Sequence, residues 1–120
     1  MTVFLLRHGQ TRGNLERRYT GSTDEPLCPQ GKAELEGVRP PEAEYVYVSP
    51  MIRCRETAEI LYPGMEQMAV PGFRETGFGI FEGHTYEELK ETHAYRAWLD
   101  TAGAVPPPGG ESKAAVRQRV

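Results

Sequence analysis

The sequence predicts an α/β fold in three layers, a mostly parallel β-sheet with helices on both faces. Three observations carry this. Short apolar or β-branched runs alternate with helical patterns, joined by brief connections, which is the order that builds parallel sheets. Two of these runs, residues 3–6 and 45–48, stop abruptly at turn-forming or helix-capping residues. The 120 residues suffice for a single small domain, residues 1–120. Parallel strands need cover on both faces, and three candidate strands are few for such a sheet.

The first element is Val3-Phe4-Leu5-Leu6, read as a buried strand that ends at Arg7, His8 and Gly9. Open α/β sheets place ligands at such strand ends. Residues 11–19 are polar and read as a loop with a short helix. Residues 20–27 are dense in turn formers and read as an ordered loop. Residues 29–37 form a helix with Pro29 near its start and Gly37 near its end. Arg39-Pro40-Pro41 then forbids continuation. Tyr45-Val46-Tyr47-Val48 is the second strand. Ser49-Pro50 has the pattern of a cap and a first helical residue, so a helix is expected over 51–61. Met51, Cys54, Ala58 and Leu61 share one of its faces, with Arg53 and Thr57 directed elsewhere. Residues 65–70 make the third strand, and 71–83 a glycine- and phenylalanine-rich loop. Thr85 caps a helix with an acidic first turn. Tyr95, Trp98 and Leu99 have the spacing of a packing face. Residues 104–110 form a loop, and residues 111–120 begin another helix.

Composition narrows the partners. The net charge of −3 argues against nucleic acid. No apolar run approaches membrane-spanning length and no signal-peptide pattern opens the chain, so no membrane partner and a cytoplasmic location are expected. Cys28 and Cys54 lack metal-ligand or disulfide spacing and read as reduced thiols. Arg7, Arg12, Arg17 and Arg18 face only Glu16 within the first twenty residues. A cationic end on an acidic protein fits steering of a small anion, although a solvated basic helix face is the plainer reading.

Arg7, His8, Asn14, Arg53 and Glu75 together suit phosphoryl transfer. That reaction needs an in-line nucleophile, cations on the non-bridging oxygens and an acid for the leaving oxygen. His8 supplies the nucleophile if its other ring nitrogen is held by an acceptor. Arg7 and Arg53 supply bidentate clamps, and Asn14 a neutral donor. Arg53 also sits in a helix's first turn, where backbone N–H groups favour an anion. Glu75 serves as the acid if burial raises its pKa. His84 and His93 lack such a setting and read as surface histidines.

With these residues in hand, the chain resembles the histidine phosphatase superfamily, in its phosphoglycerate-mutase-like branch. Five stretches match in order: Leu6-Arg7-His8-Gly9-Gln10-Thr11 with Asn14; Thr20-Gly21-Ser22-Thr23-Asp24 with Pro26-Leu27 and Gly31; Ser49-Pro50-Met51-Ile52-Arg53 with Thr57-Ala58; Arg74-Glu75 with Phe78-Gly79 and Glu82-Gly83; and Pro108-Gly109-Gly110-Glu111-Ser112. The resemblance implies a phosphoglycerate-mutase-like α/β/α fold and a small phosphorylated metabolite as substrate. It implies His8 as the phosphorylated nucleophile, Arg7 and Arg53 as phosphate ligands, and Asn14, Thr20 and Gly21 as pocket lining. Glu75 becomes the proton donor and acceptor, and neither metal nor cofactor is expected. The short connection from Arg53 to Glu75, together with Gly21-Ser22-Thr23-Asp24, resembles small phosphatases such as the α-ribazole phosphatases more than the mutases.

The reading that follows is a phosphomonoesterase acting through a phosphohistidine. A mutase-type phosphotransferase and an inactive phosphate-binding remnant are the alternatives. The last arises because the family's second catalytic histidine, expected after the helix that begins at Glu111, has no counterpart here. The resemblance therefore implies that residues 1–120 are the N-terminal portion of the fold, without its C-terminal strand and helix. With the missing strand expected beside the His8 strand, two strands in the middle of the sheet are then left unpaired, their backbone groups unsatisfied. Such a chain is expected to be poorly stable unless it associates, for instance as a homo-oligomer, and nearly inactive.

Overall fold

The computed structural model describes residues 1–120. Two stretches of chain make one unit, residues 1–12 and 24–71; residues 13–23 and 72–120 make another. No helix is long and apolar enough to cross a membrane.

The first unit is built on a β–α–β segment. Val46 and Val48, β-branched residues that suit a pleated surface, flank Tyr47 in β1 (Val46–Val48). β1 pairs in parallel with β2 (Gln67–Ala69), Val46 opposite Gln67 and Val48 opposite Ala69. A parallel pair needs a crossover, and α3 (Ile52–Leu61) provides it, packing against β1 and α2 (Pro29–Glu36). The proline at the first position of α2 has no N–H to lose there. The buried Sγ of Cys28, its N-cap, accepts the Gly31 N–H at 3.3 Å. Leu27, Cys28, Leu35, Val48, Met51 and Ala58 are the buried apolar side chains of this unit.

Two expectations are corrected in this helix and its approach. α3 begins at Ile52, because Met51 is still extended and Pro50 lies outside the helix. The Ser49 Oγ accepts only a long bond from Met51 N (3.4 Å), whereas the carboxylate of Asp24 takes the Ile52 N–H at 2.8 Å. A residue distant in sequence thus satisfies an orphan donor of the helix start. Arg53 and Thr57 are buried, Cys54 only half so. The face expected to look elsewhere is covered by the segment around Gly9, whose N–H donates to Thr57 Oγ1.

The expected first strand is also corrected. Residues 3–6 pair with no strand, and Leu5 is 93 % exposed. An extended apolar run becomes a strand only when a neighbour takes its N–H and C=O groups. Neither β1 nor β2 does so, and the run lies open.

The second unit is an aromatic cluster wrapped by short helices: α1 (Arg12–Leu15, whose first residue belongs to the other unit), α4 (Tyr86–Leu89), α5 (His93–Asp100) and α6 (Lys113–Arg119). Thr85 and Glu88 close a capping box on α4. The Ser112 hydroxyl caps α6 through the Ala115 N–H. Phe81, Leu89 and Tyr95 are buried, with Tyr19, Phe78, Ala94 and Trp98 packed against them. Leu99, expected on the packing face of α5, is half exposed. The Tyr19 and Tyr95 hydroxyls meet at 2.6 Å, which satisfies both phenols inside the cluster.

Candidate active site

His8 lies where the apolar run ends. A backbone carbonyl only accepts hydrogen bonds. The 2.6 Å contact between His8 Nδ1 and the Gly9 oxygen therefore makes Nδ1 a donor, and in the neutral ring the lone pair is then on Nε2. This is the tautomer that nucleophilic attack requires. Gly9 takes its place for space and not for a left-handed turn. A Cβ there would stand 2.7 Å from Leu35 Cδ1, and its φ is not positive.

The same turn is tied to α3. Gly9 N donates to Thr57 Oγ1 at 3.0 Å, and that hydroxyl donates to the Arg53 carbonyl at 2.7 Å. One threonine thus couples the backbone beside His8 to the helical turn that carries Arg53. The Arg53 side chain is 1 % exposed, whereas Arg7 is exposed. A buried guanidinium is costly without compensating charge or hydrogen bonds, and its position in the first turn of α3 is suited to an anion.

In the second unit, Asn14 lies in α1, and Thr20 and Gly21 lie in the loop that follows. Glu82 organises that loop, a role not assigned from sequence. Its carboxylate accepts Gly21 N (2.9 Å), Ser22 N (2.8 Å) and Thr23 Oγ1 (2.7 Å), and more weakly Phe78 N (3.3 Å). Burial acts to raise the Glu82 pKa, but the bonds from Thr23, Gly21, Ser22 and Phe78 prevail and hold it below the ordinary value. The Glu82-Gly83 pair is visible in the sequence; the loop that it gathers is sixty residues upstream and is not.

Glu75 is exposed, not buried as the acid's role called for, and its carboxylate accepts the Thr76 N–H at 2.8 Å. Glu111 and Arg119, also unassigned from sequence, hold the backbone around it. Glu111 Oε1 accepts Gly77 N at 2.8 Å, and Arg119 Nη2 donates to the Glu75 carbonyl at 3.1 Å. The Arg119 guanidinium, followed by the Gly77 N–H, holds the Glu111 carboxyl down at about 2. His84 is exposed and pairs with Glu88 at 3.0 Å, and His93 is exposed at the start of α5. Both remain surface residues, as read from the sequence.

These depressed carboxyls set a pH dependence. A carboxyl with a folded pKa below its unfolded value stabilises the fold above the unfolded value, and that stabilisation is lost as pH falls through the folded one. With an unfolded value near 4.3 and Glu111 at about 2, the thermal midpoint should hold above pH ~5 and fall steadily toward pH ~2. Glu111→Gln should flatten that fall, as read by circular dichroism melts across the range. An unchanged slope would mean that the Glu111 contacts add nothing to stability.

Residues 3–120 match the histidine phosphatase superfamily (branch 1). A 2,3-bisphosphoglycerate-dependent phosphoglycerate mutase of Brucella ovis is 32 % identical over 128 aligned positions, covering 92 % of this chain and 60 % of that one. Among solved structures, a phosphoglycerate mutase from Thermus thermophilus superposes with a TM-score of 0.78 at 36 % identity, covering 94 % of this chain and 64 % of its own. The α-ribazole phosphatase from Shigella flexneri gives a TM-score of 0.83 at 25 % identity, covering 95 % and 60 %. The chain spans 45 to 60 % of the length of the curated relatives it matches. With the phosphoglycerate-mutase-like α/β fold and the five ordered motifs, these likenesses place the chain in the histidine phosphatase superfamily, branch 1.

Proposed function

We propose that the protein is a phosphomonoesterase that works through a phosphohistidine on His8. The observation that carries this reading is the His8 contact: Nδ1 donates to the Gly9 carbonyl, so in the neutral ring Nε2 is the nitrogen that can attack. In the first step Nε2 forms a bond to phosphorus as the ester P–O bond breaks, and Glu75 gives its proton to the leaving oxygen. In the second, water attacks the phosphohistidine and Glu75 takes the water's proton. The P–N bond breaks, phosphate departs and His8 is restored. Arg7 and Arg53 hold the non-bridging oxygens. Asn14, Thr20 and Gly21 line the pocket, the last two in the loop that Glu82 gathers. The substrate class is a small phosphorylated metabolite, and no metal takes part.

A chromogenic phosphate ester, offered without added metal, tests the reading. His8→Ala should lower turnover by about three orders of magnitude or more, as expected when a nucleophile is removed. Equal rates in the two proteins would end it. The mutase reading is kept open by the phosphoglycerate mutases among the relatives. Against it stands the short connection from Arg53 to Glu75, which holds only the rest of α3, β2 and a 3₁₀ turn at Pro71–Phe73. Supplied with a phosphorylated sugar acid, a mutase would isomerise it faster than it releases phosphate. Normal phosphate binding with neither activity would identify a binding module.

A further inference from the structure

We propose that Arg119 is a positioning residue for Glu75, acting with Glu111 as a brace on the segment 72–77. The proposal rests on the reading of Glu75 as the general acid. An arginine has five N–H donors in a rigid fork, and here each has its own acceptor. Nε donates to Glu111 Oε2 at 2.8 Å. Nη1 donates to the carbonyls of Gly72 at 2.7 Å and Arg74 at 2.9 Å. Nη2 donates to the Glu75 carbonyl at 3.1 Å and to Glu111 Oε1 at 2.9 Å. Three carbonyls of one short stretch thus converge on a single guanidinium, the last of them that of Glu75.

The downstream side of the stretch is fixed as well. The Glu111 carboxylate accepts the Gly77 N–H, and the Glu111 N–H donates back to the Gly77 carbonyl at 2.8 Å. Glu75 therefore lies on a backbone pinned before, at and two residues beyond it, although it belongs to no helix or strand. Its side chain is exposed, and its carboxylate accepts from the next backbone N–H. An exposed side chain takes its aim from the backbone that carries it, and here Arg119 and Glu111 hold that backbone. A proton donor displaced by about 1 Å from its working position costs on the order of a hundredfold in rate. Lysine, a point charge with three donors, cannot span the same five acceptors.

The test has two arms, both on the full chain with Arg119→Lys, Arg119→Ala and Glu111→Gln. The first is hydrogen exchange, which requires no turnover. Exchange should accelerate in residues 72–77 while α5 and the aromatic cluster keep their protection. Unchanged exchange in 72–77, or acceleration spread over the whole second unit, would overturn the proposal. The second arm uses leaving groups. A general acid matters for an alkyl phosphate and little for an activated nitrophenyl phosphate. Arg119→Lys should lower kcat on the alkyl ester by about 10- to 100-fold, with KM and the nitrophenyl rate nearly unchanged. Equal losses on both esters, or none on either, would overturn positioning. Glu75→Gln run alongside separates the two ideas. If Glu75→Gln spares the alkyl ester, the general-acid reading fails. If it does not and Arg119→Lys does, the brace fails.

Discussion

Phe81→Ala should destabilise the second unit by about 3–5 kcal/mol, the cost of truncating a fully buried aromatic side chain. Phe81 is 1 % exposed and closes on Tyr95 edge-to-face, ring centroids 5.3 Å apart, and on Trp98 at 5.6 Å. Its loss removes apolar burial and leaves a cavity among side chains that are themselves held in mutual contact: Tyr19 with Phe78, Tyr95 and Trp98. Small domains are stable by only about 5–15 kcal/mol, so the change consumes a large fraction of the total. Trp98, the single tryptophan, sits in the cluster and reports its unfolding by fluorescence. The urea midpoint should fall sharply for Phe81→Ala, and by little for Phe73→Ala, whose side chain is half exposed. Similar midpoints for Phe81→Ala and the parent would mean that this cluster is not the core.

Gly31→Ala should destabilise the first unit, contrary to the usual sign. In a helix, glycine to alanine ordinarily gains about 0.8–1 kcal/mol. Gly31 lies in the first turn of α2, buried against the chain at Gln10, and an added Cβ would overlap the Gln10 carbonyl oxygen while standing 2.9 Å from Gln10 N. Backbone cannot rotate aside as a side chain can, so the methyl must push α2 away from the segment that carries His8. Overpacking of this kind costs about 1–3 kcal/mol. A chemical melt of Gly31→Ala beside Ala33→Gly, an exposed position of the same helix, checks the sign. Stabilisation by Gly31→Ala would show that α2 does not lie close on residue 10.

These cases mark what a sequence reveals. The helices at 29–36, 86–89 and 113–119 were legible because their caps and breakers are local: Pro29, Gly37, Thr85 with Glu88, and Ser112; that at 52–61 was legible from apolar spacing, its start being set by the distant Asp24. β1 was legible from its β-branched and aromatic run; β2, Gln67–Ala69, has no β-branched residue and gave a plainer signal. The run at 3–6 has the same local signal, yet a strand is a property of a pair, and neither β1 nor β2 pairs with it. The faces of α3 were misassigned for a related reason. Apolar spacing placed Met51 and Ala58 inside correctly, but Arg53 and Thr57 are buried too, Thr57 with a polar bond from Gly9 that hydropathy does not register.

The candidate site divides likewise. Arg7, His8, Asn14, Arg53 and Glu75 are chemically expressive residues in recognisable settings, and the Nδ1 bond of His8 is the kind of support that the chemistry demands. The roles of Glu82, Glu111 and Arg119 were not legible, although Glu82 and Glu111 stand in matching motifs. A charged residue on a loop or helix end ordinarily faces solvent, and the loops they hold are mostly thirty or more residues away. Only the folded chain shows that their charges are spent on backbone groups of the loops that carry Gly21 and Glu75.

The phosphohistidine itself offers the most direct measurement. The protein is mixed with a phosphate ester, quenched in base to preserve an acid-labile P–N bond, digested, and its peptides weighed. A peptide spanning His8 should carry one phosphoryl group, absent from His8→Ala and lost on brief exposure to acid. Turnover of the ester with His8 unmodified at every time point, or the label on another residue, would contradict the account.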